Sequence, residues 1–236
     1  MSFSKCQREL DDLGFTFVAD IYTIEEVQQI LDLISQADTS KSTFRKSTNL
    51  FAIRQFIKEI PDAKELIFNF NLKKVIERTF GINYFLVKSI YFDKPAQSNW
   101  FVAYHQDLTI SVDKRIDLKD YGPWTVKQNQ FAVQPPLEIL QNIFTIRIHL
   151  DDTDHENGAL KVVPSSHHKG IYRPETINWD IENEISCVVL KGGVMIIKPL
   201  LLHSSSRTTN NEKRRVIHLE FSNLELPEEL EWAERI

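Results

Sequence analysis

The chain has 236 residues, 42% of them hydrophobic and 26% charged, with 28 Lys and Arg against 33 Asp and Glu for a net charge of −5. That composition excludes a disordered chain, and a mildly acidic sequence without a dense basic stretch lacks the electrostatic footprint of a nucleic-acid binder. No apolar run approaches the roughly 20 residues that span a bilayer, and Cys6 and Cys187 can neither staple a disulfide scaffold nor form a CxxC metal pair.

The start, MSFSKCQRELDD, lacks the basic-then-apolar pattern of a secretory leader, so the chain reads as cytoplasmic. GFTFV at 14–18 suggests a short strand leading into TIEEVQQILDLISQAD. There Thr23 and Glu26 fit a capping box, and Ile24, Val27, Ile30, Leu31 and Ile34 recur at helical spacing. A second helix is expected over roughly 61–79, opened by Pro61 and Asp62 and followed by Gly81.

From about residue 84 the pattern turns to strands. YFLVKSIYF, WFVAYHQDLTISV, NIFTIRIHLDD, ALKVVP, ISCVVL, GVMIIKPLLLH and RRVIHLEFS are short β-branched and aromatic runs punctuated by turn residues. The stretch 113–137, with YGPW and QPP, has no clear period and is expected to be a long loop. Without crossover helices a parallel doubly wound sheet is excluded. The expectation is a mainly β fold with flanking α-helices, a jelly roll or cupin-like double-stranded β-helix. One domain would span 1–236, helix-rich over 1–83 with the jelly-roll core at about 84–222.

The chemistry concentrates in YHQDL. Side chains alternate faces along a strand, so His105 and Asp107 share a face, roughly 7 Å apart along the chain, and can bind adjacent corners of one metal ion. His203, after the apolar run GVMIIKPLLL, supplies a third ligand. Two imidazoles and a carboxylate form the facial set that suits Fe(II) and leaves positions open, two for a bidentate 2-oxo acid and one for O2. The far carboxylate of such an acid needs a cation. Arg214 lies eleven residues after His203, and a hairpin between the two strands would bring it to the metal, with Ser205 as a further hydroxyl. Arg215 competes with Arg214, because adjacent strand residues face apart.

HQD, LDDTDHENGALKVVPSSHHKG and HSSSRTTNNEKRR together resemble the signature of the phytanoyl-CoA dioxygenase-like Fe(II)/2-oxoglutarate oxygenases. That pattern is H-x-D, an NG-x-L-x-x-x-PGSH stretch, and a distal His followed by Arg eleven positions on. The resemblance covers roughly 84–222 and implies His105, Asp107 and His203 as iron ligands and catalytic residues. It implies Arg214 and Ser205 as 2-oxoglutarate contacts, and the carboxylate ligand favours hydroxylation or desaturation over halogenation. PSSH replaces the usual PGSH, so Ser165 stands where glycine is normal.

Other residues carry weaker expectations. Arg147 and His149 share a strand face with Thr145, and Arg147 is either a pocket residue or half of an ion pair. Gln106 points away from His105 in an ideal strand. Lys88, Lys94 and Trp124 read as structural or surface residues, His167 and His168 as turn residues, and His155 and His218 carry no signal. Two other functions fit the same residues: a zinc hydrolase on the three ligands, and a non-catalytic ligand-binding jelly roll. The partner expected is a small-molecule substrate, with no nucleic acid and no membrane. The sequence specifies neither the substrate nor an oligomeric state.

Overall fold

The structure is a computed structural model and describes residues 2–38, 40–47, 50–127 and 130–236. Its first third runs α1 (Phe3–Asp12), β1 (Phe15–Val18), α2 (Ile24–Ser35), β2 (Phe44–Ser47), β3 (Leu50–Arg54), α3 (Phe56–Glu59), α4 (Ala63–Ile67) and α5 (Phe70–Phe80). The capping box of α2 is formed: the Glu26 amide donates to the Thr23 hydroxyl and the Thr23 amide to the Glu26 carboxylate. Val27, Ile30, Leu31 and Ile34 are buried as the spacing requires, whereas Ile24, in the first turn, is exposed.

The helix expected over 61–79 is two helices. Asn69 is extended, with ψ 170°, and its side chain accepts from the Leu72 amide, so the residue that caps α5 also breaks it from α4. The hairpin of β2 and β3 has no counterpart in the sequence reading. FRKS is short and polar, and LFAIR is too short to announce a strand by period alone.

The remainder runs β4 (Phe85–Lys94), β5 (Val102–His105), β6 (Ile110–Val112), β7 (Trp124–Lys127), β8 (Gln130–Val133), α6 (Leu137–Asn142), β9 (Phe144–His149), β10 (Leu160–Val162), β11 (Ile185–Ser186), β12 (Val194–Ile197), β13 (His203–Ser205) and β14 (Arg214–Ser222). Among the described residues a large sheet is ordered β1-β12-β9-β14-β4-β3-β2, a smaller one β11-β10-β13-β5, and a third β6-β8-β7. The pairings within them are antiparallel, as the jelly-roll expectation requires. The third sheet corrects the reading of 113–137 as a loop. Trp124–Lys127 and Gln130–Val133 pair there, and Val112 and Val133 are buried beside Trp232.

The large sheet is two-faced. Ile146, Ile148, Ile217, Leu219 and Phe221 alternate onto one face and pack with Val27, Ile30, Leu72 and Val75 of α2 and α5 as the main core. Residues one step along the same strands turn to the other face. Register places Arg147 opposite His218, Glu220 opposite Lys88, and Arg214 opposite Lys94 on that face.

Candidate metal centre

Two strands of the small sheet deliver the histidines. His203 opens β13 and His105 closes β5, paired in register, with ring centroids 4.3 Å apart. The run expected as one strand over 100–112 is broken after His105. Gln106 turns inward, donating to the carbonyls of Gly170 (2.8 Å) and Leu200 (2.6 Å) and accepting from the Tyr172 amide (2.8 Å). The Asp107 amide donates to the Pro199 carbonyl at 2.9 Å. These bonds tie the chain around Asp107 to the segment that precedes His203. They bring the carboxylate oxygens to 3.8 Å from His105 Nε2 and 3.8 Å from His203 Nε2.

Protonation follows from the hydrogen bonds. Nδ1 of His203 faces the Leu201 carbonyl at 2.8 Å and Nδ1 of His105 faces the Ala103 carbonyl at 2.9 Å. A carbonyl only accepts, so each Nδ1 carries its proton and each Nε2 turns a lone pair inward. Burial pushes the His203 imidazole down to about 4, against the pull of Asp107, so the ring is neutral near pH 7. Burial would raise the Asp107 carboxyl, but His203, His218, Lys88 and His105 together hold it well below the usual carboxylate range. One carboxylate and two inward lone pairs, all within 4.8 Å, repel one another unless a cation lies between them. The donor set therefore fits a ferrous ion.

Asp107, His218 and Glu220 also lie within 4.8 Å of one another. That group is already neutralised and is a poor metal site. Lys88 Nζ sits 2.8 Å from Glu220, and Arg147 donates to His218 Nδ1 at 3.1 Å. Because a guanidinium only donates, His218 accepts at Nδ1 and donates from Nε2 to Glu220 at 2.9 Å. Arg147 is thus both a pocket residue and a member of this chain, and Lys88 belongs to it half-buried.

The triad opens into a cavity of about 270 Å³ whose wall includes Arg147, Ser205, Arg214 and His218. Arg214 is 3% exposed, and among the described residues its Nε and Nη1 have no partner; Ser205 Oγ is also buried without one there. Arg215 faces the other way and makes a two-pronged ion pair with Asp151, at 2.8 and 2.6 Å. Unpaired buried donors are costly, and an anion in the cavity would supply acceptors to Arg214 and Ser205. The expected hairpin between them is replaced by a crossing, since β13 belongs to the small sheet and β14 to the large one. Arg214 faces the histidines from the opposing sheet.

Some of the remaining residues keep their sequence reading and some do not. Lys94, read as structural or surface, lies fully buried on the cavity face. It donates to the Ser206 carbonyl and lies over the Trp100 ring. Burial and the neighbouring Arg214 push its ammonium down to about 7. Gly158 packs against it: at φ +83°, a Cβ would stand 2.7 Å from both Lys94 Nζ and the Ser206 carbonyl. Trp124 belongs to the third sheet, away from the centre. His167 and His168 have their rings side by side at a tilt, and His167 contacts the Asp11 carbonyl, as turn residues. Ser165 takes the left-handed φ of +64° that glycine favours, tied down by its hydroxyl donating to the Asp12 carbonyl. His218, Arg45 and Arg54 were missed. His218 was legible in the alternation R-x-V-x-H-x-E from Arg214 to Glu220.

Known proteins agree with this architecture. The chain aligns over 94% of its length with the non-heme alpha ketoglutarate dependent carbocyclase SnoK from nogalamycin biosynthesis, covering 84% of that chain at 14% identity and a TM-score of 0.70. AviO1 from Streptomyces viridochromogenes Tue57 gives 15% identity and a TM-score of 0.66, with 94% and 95% of the two chains covered. EctD from S. alaskensis, crystallised with 2-oxoglutarate and 5-hydroxyectoine, gives 16% and 0.70, with 94% and 76% covered. At such identities these structures speak for the fold. No curated protein matches by sequence. The family model of phytanoyl-CoA dioxygenase (PhyH) matches residues 10–216, most of the chain. With that match and this fold, the chain belongs to the phytanoyl-CoA dioxygenase family and is an Fe(II)- and 2-oxoglutarate-dependent dioxygenase that uses O2.

Proposed function

We propose that His105, Asp107 and His203 hold the ferrous ion, that Arg214 and Ser205 bind the far carboxylate of 2-oxoglutarate, and that the enzyme hydroxylates a small molecule. The observation that carries this reading is the meeting of two complementary sets of groups in one cavity. One is the cluster of inward-facing donor atoms of His105, Asp107 and His203; the other is the buried guanidinium of Arg214. When bound, the iron and 2-oxoglutarate supply oxygen activation, with succinate and CO2 as the products of the cosubstrate.

The protein's own contribution is positioning. Ala103 and Leu201 fix the two imidazole tautomers through their carbonyls. Gln106 fixes the turn that presents Asp107, and Arg214 sets the far end of the cosubstrate by parallel hydrogen bonds. Ser205, opposite Val102 in the register and with a buried hydroxyl, donates to the same carboxylate. The same reading places the enzyme in the cytoplasm, where Fe(II) stays reduced. Both cysteines are free and buried, and among the described residues no helix is long and apolar enough to cross a membrane.

The test is anaerobic titration with Fe(II) and then 2-oxoglutarate, watching for the weak visible charge-transfer band of the chelate. The wild-type protein should show the band and release succinate on aeration; His203→Ala should lose both while keeping its circular dichroism. Arg214→Ala should raise the 2-oxoglutarate requirement by about tenfold or more, the loss expected for a charge-assisted pair. A band that survives in His203→Ala would reject the ligand set, and an unchanged 2-oxoglutarate requirement would reject Arg214.

A further inference from the structure

Short strands carry the two histidines of the triad. β13 has three residues and β5 four, and their register slips between His203 and Ser205, which locally disrupts the ladder. Strand pairing of that length leaves the approach to His203 to be fixed from outside the sheet. The turn of residues 165–170 stands where it can do so. It is anchored to three successive carbonyls at the C-terminal end of α1. His167 Nε2 contacts the Asp11 carbonyl at 3.1 Å, the Ser165 hydroxyl donates to that of Asp12 at 2.7 Å, and the Ser165 amide donates to that of Leu13 at 2.9 Å. These are carbonyls that a helix end leaves without intrahelical partners. From this anchorage the turn reaches both arms of the triad. The Gly170 carbonyl accepts from Gln106, between His105 and Asp107, and the Ser166 hydroxyl accepts from the Leu202 amide at 2.8 Å.

The second of these contacts bears on His203. The Leu202 N–H and the Leu201 C=O belong to one planar peptide unit. Its N–H donates to Ser166, and its C=O accepts from His203 Nδ1 at 2.8 Å, so the unit is held between a serine hydroxyl and an imidazole. Ser166, Leu201 and Leu202 are each 0% exposed, so water offers no substitute partner. His105 is held differently, since its Nδ1 faces the carbonyl of the exposed Ala103.

We infer that Ser166 is a positioning residue of the metal centre, acting on His203 through the peptide between Leu201 and Leu202. This deepens the reading above and rests on His203 being a metal ligand. By gripping the N–H, Ser166 sets the plane of that peptide and hence the direction of the carbonyl that fixes the imidazole ring and its tautomer. A hydrogen bond at the N–H also polarises the peptide, which strengthens acceptance at its carbonyl and makes Nε2 the better donor to a metal.

The probe is Mn(II), titrated into the metal-free protein and read by the paramagnetic resonance of the free ion. Ser166→Ala removes the acceptor and little volume, and it should raise the Mn(II) dissociation constant about tenfold, the low end for groups that orient a metal ligand. With Mn(II) saturating, the affinity for 2-oxoglutarate should stay within about twofold, because Arg214 stands on the opposing sheet. In the metal-free variant, with 15N-labelled histidine, the ring nitrogens of His203 should shift and those of His105 should not. Ser166→Thr keeps the acceptor at the cost of one methyl group and should bind Mn(II) within about threefold of the wild-type protein. Unchanged Mn(II) binding by Ser166→Ala, or a threonine variant as weak as the alanine one, would overturn the inference. So would equal losses of Mn(II) and 2-oxoglutarate affinity, which a general loosening of the fold would give. His203→Ala separates this inference from its parent. If that variant binds Mn(II) as the wild-type protein does, His203 is no ligand and both readings fall. If His203→Ala loses the metal and Ser166→Ala keeps it, only the role of the serine falls.

Discussion

On the helix-covered face of the large sheet, Phe144, Ile146, Ile148, Ile217, Leu219 and Phe221 are at most 2% exposed and form the core. One residue along the same two strands, the opposite face presents Thr145, Arg147, His149, Arg214, His218 and Glu220, also nearly inaccessible to solvent. Burial is equal on the two faces, and its energetic meaning is opposite. Apolar side chains gain about 25 cal/mol for each Å² removed from water. Arginines and histidines lose hydration and recover it only from partners. The Thr145 hydroxyl, Arg147 Nε, His149 Nε2 and two nitrogens of Arg214 have none among the described residues. One face stabilises the fold; the other is held in place by it and, on the function proposed above, is completed by ligands.

Breaking the helix-covered face should give the largest change in stability. Phe144 stacks between Phe80, at 3.4 Å between ring centroids, and Phe221, at 5.0 Å. Phe144→Ala should cost about 3–5 kcal/mol, the range for removing a buried aromatic ring from a close-packed core. Urea denaturation measures that loss. The fraction that remains folded should bind 2-oxoglutarate as the wild-type protein does, because the ring lies on the face away from the triad.

Changing the ligand face should do the reverse. Arg214→Met replaces an under-satisfied buried guanidinium by an apolar chain of similar length, so the ligand-free protein should become more stable by about 1–3 kcal/mol. The same variant should lose the rise in melting temperature that 2-oxoglutarate with Mn(II) gives the wild-type protein. A variant destabilised in the absence of ligand would show that Arg214 belongs to the core after all, and the contrast between the faces would fail at its centre.

The same contrast explains what the sequence disclosed. The apolar periodicity of NIFTIRIHL and RRVIHLEFS announced the strands, and the spacing from His105 to Asp107 and from His203 to Arg214 pointed to the candidate site, because both are local in the chain. The route from His203 to Arg214 was not legible. Whether two consecutive strands form a hairpin or cross between sheets depends on contacts with β5, β9 and β4, which are remote in sequence. Arg45 and Arg54 were hidden for the same reason. Their strands are short, and only pairing with β4 brings them to the cavity. His218 was hidden differently, since its alternation with Arg214 and Glu220 was visible but a buried polar face looks like a violation until its ligands are known.

One carboxylate sits on the wrong face. Glu234, 0% exposed, approaches β4 from the helix-covered side, where its two oxygens accept from the amide and hydroxyl of Ser89. Burial raises its pKa above 4.5, and the Ser89 bonds only partly offset that. A carboxyl whose folded value lies above its unfolded one prefers its proton in the native state. Its ionisation therefore removes stability as pH rises from 4.5 through the raised value, and each unit of that gap is worth about 1.4 kcal/mol. Glu234→Gln keeps an acceptor for the Ser89 amide, and its NH2 can donate to the Ser89 hydroxyl, which already accepts from the Ile57 amide. The variant should match the wild-type protein near pH 4.5 and exceed it at pH 7.5, by about 1 kcal/mol or less once the altered hydrogen bond is included. Urea midpoints at the two pH values measure the difference. If the gain is instead largest at pH 4.5, the native state prefers the ionised carboxylate, and even the helix-covered face would be built to hold a charge.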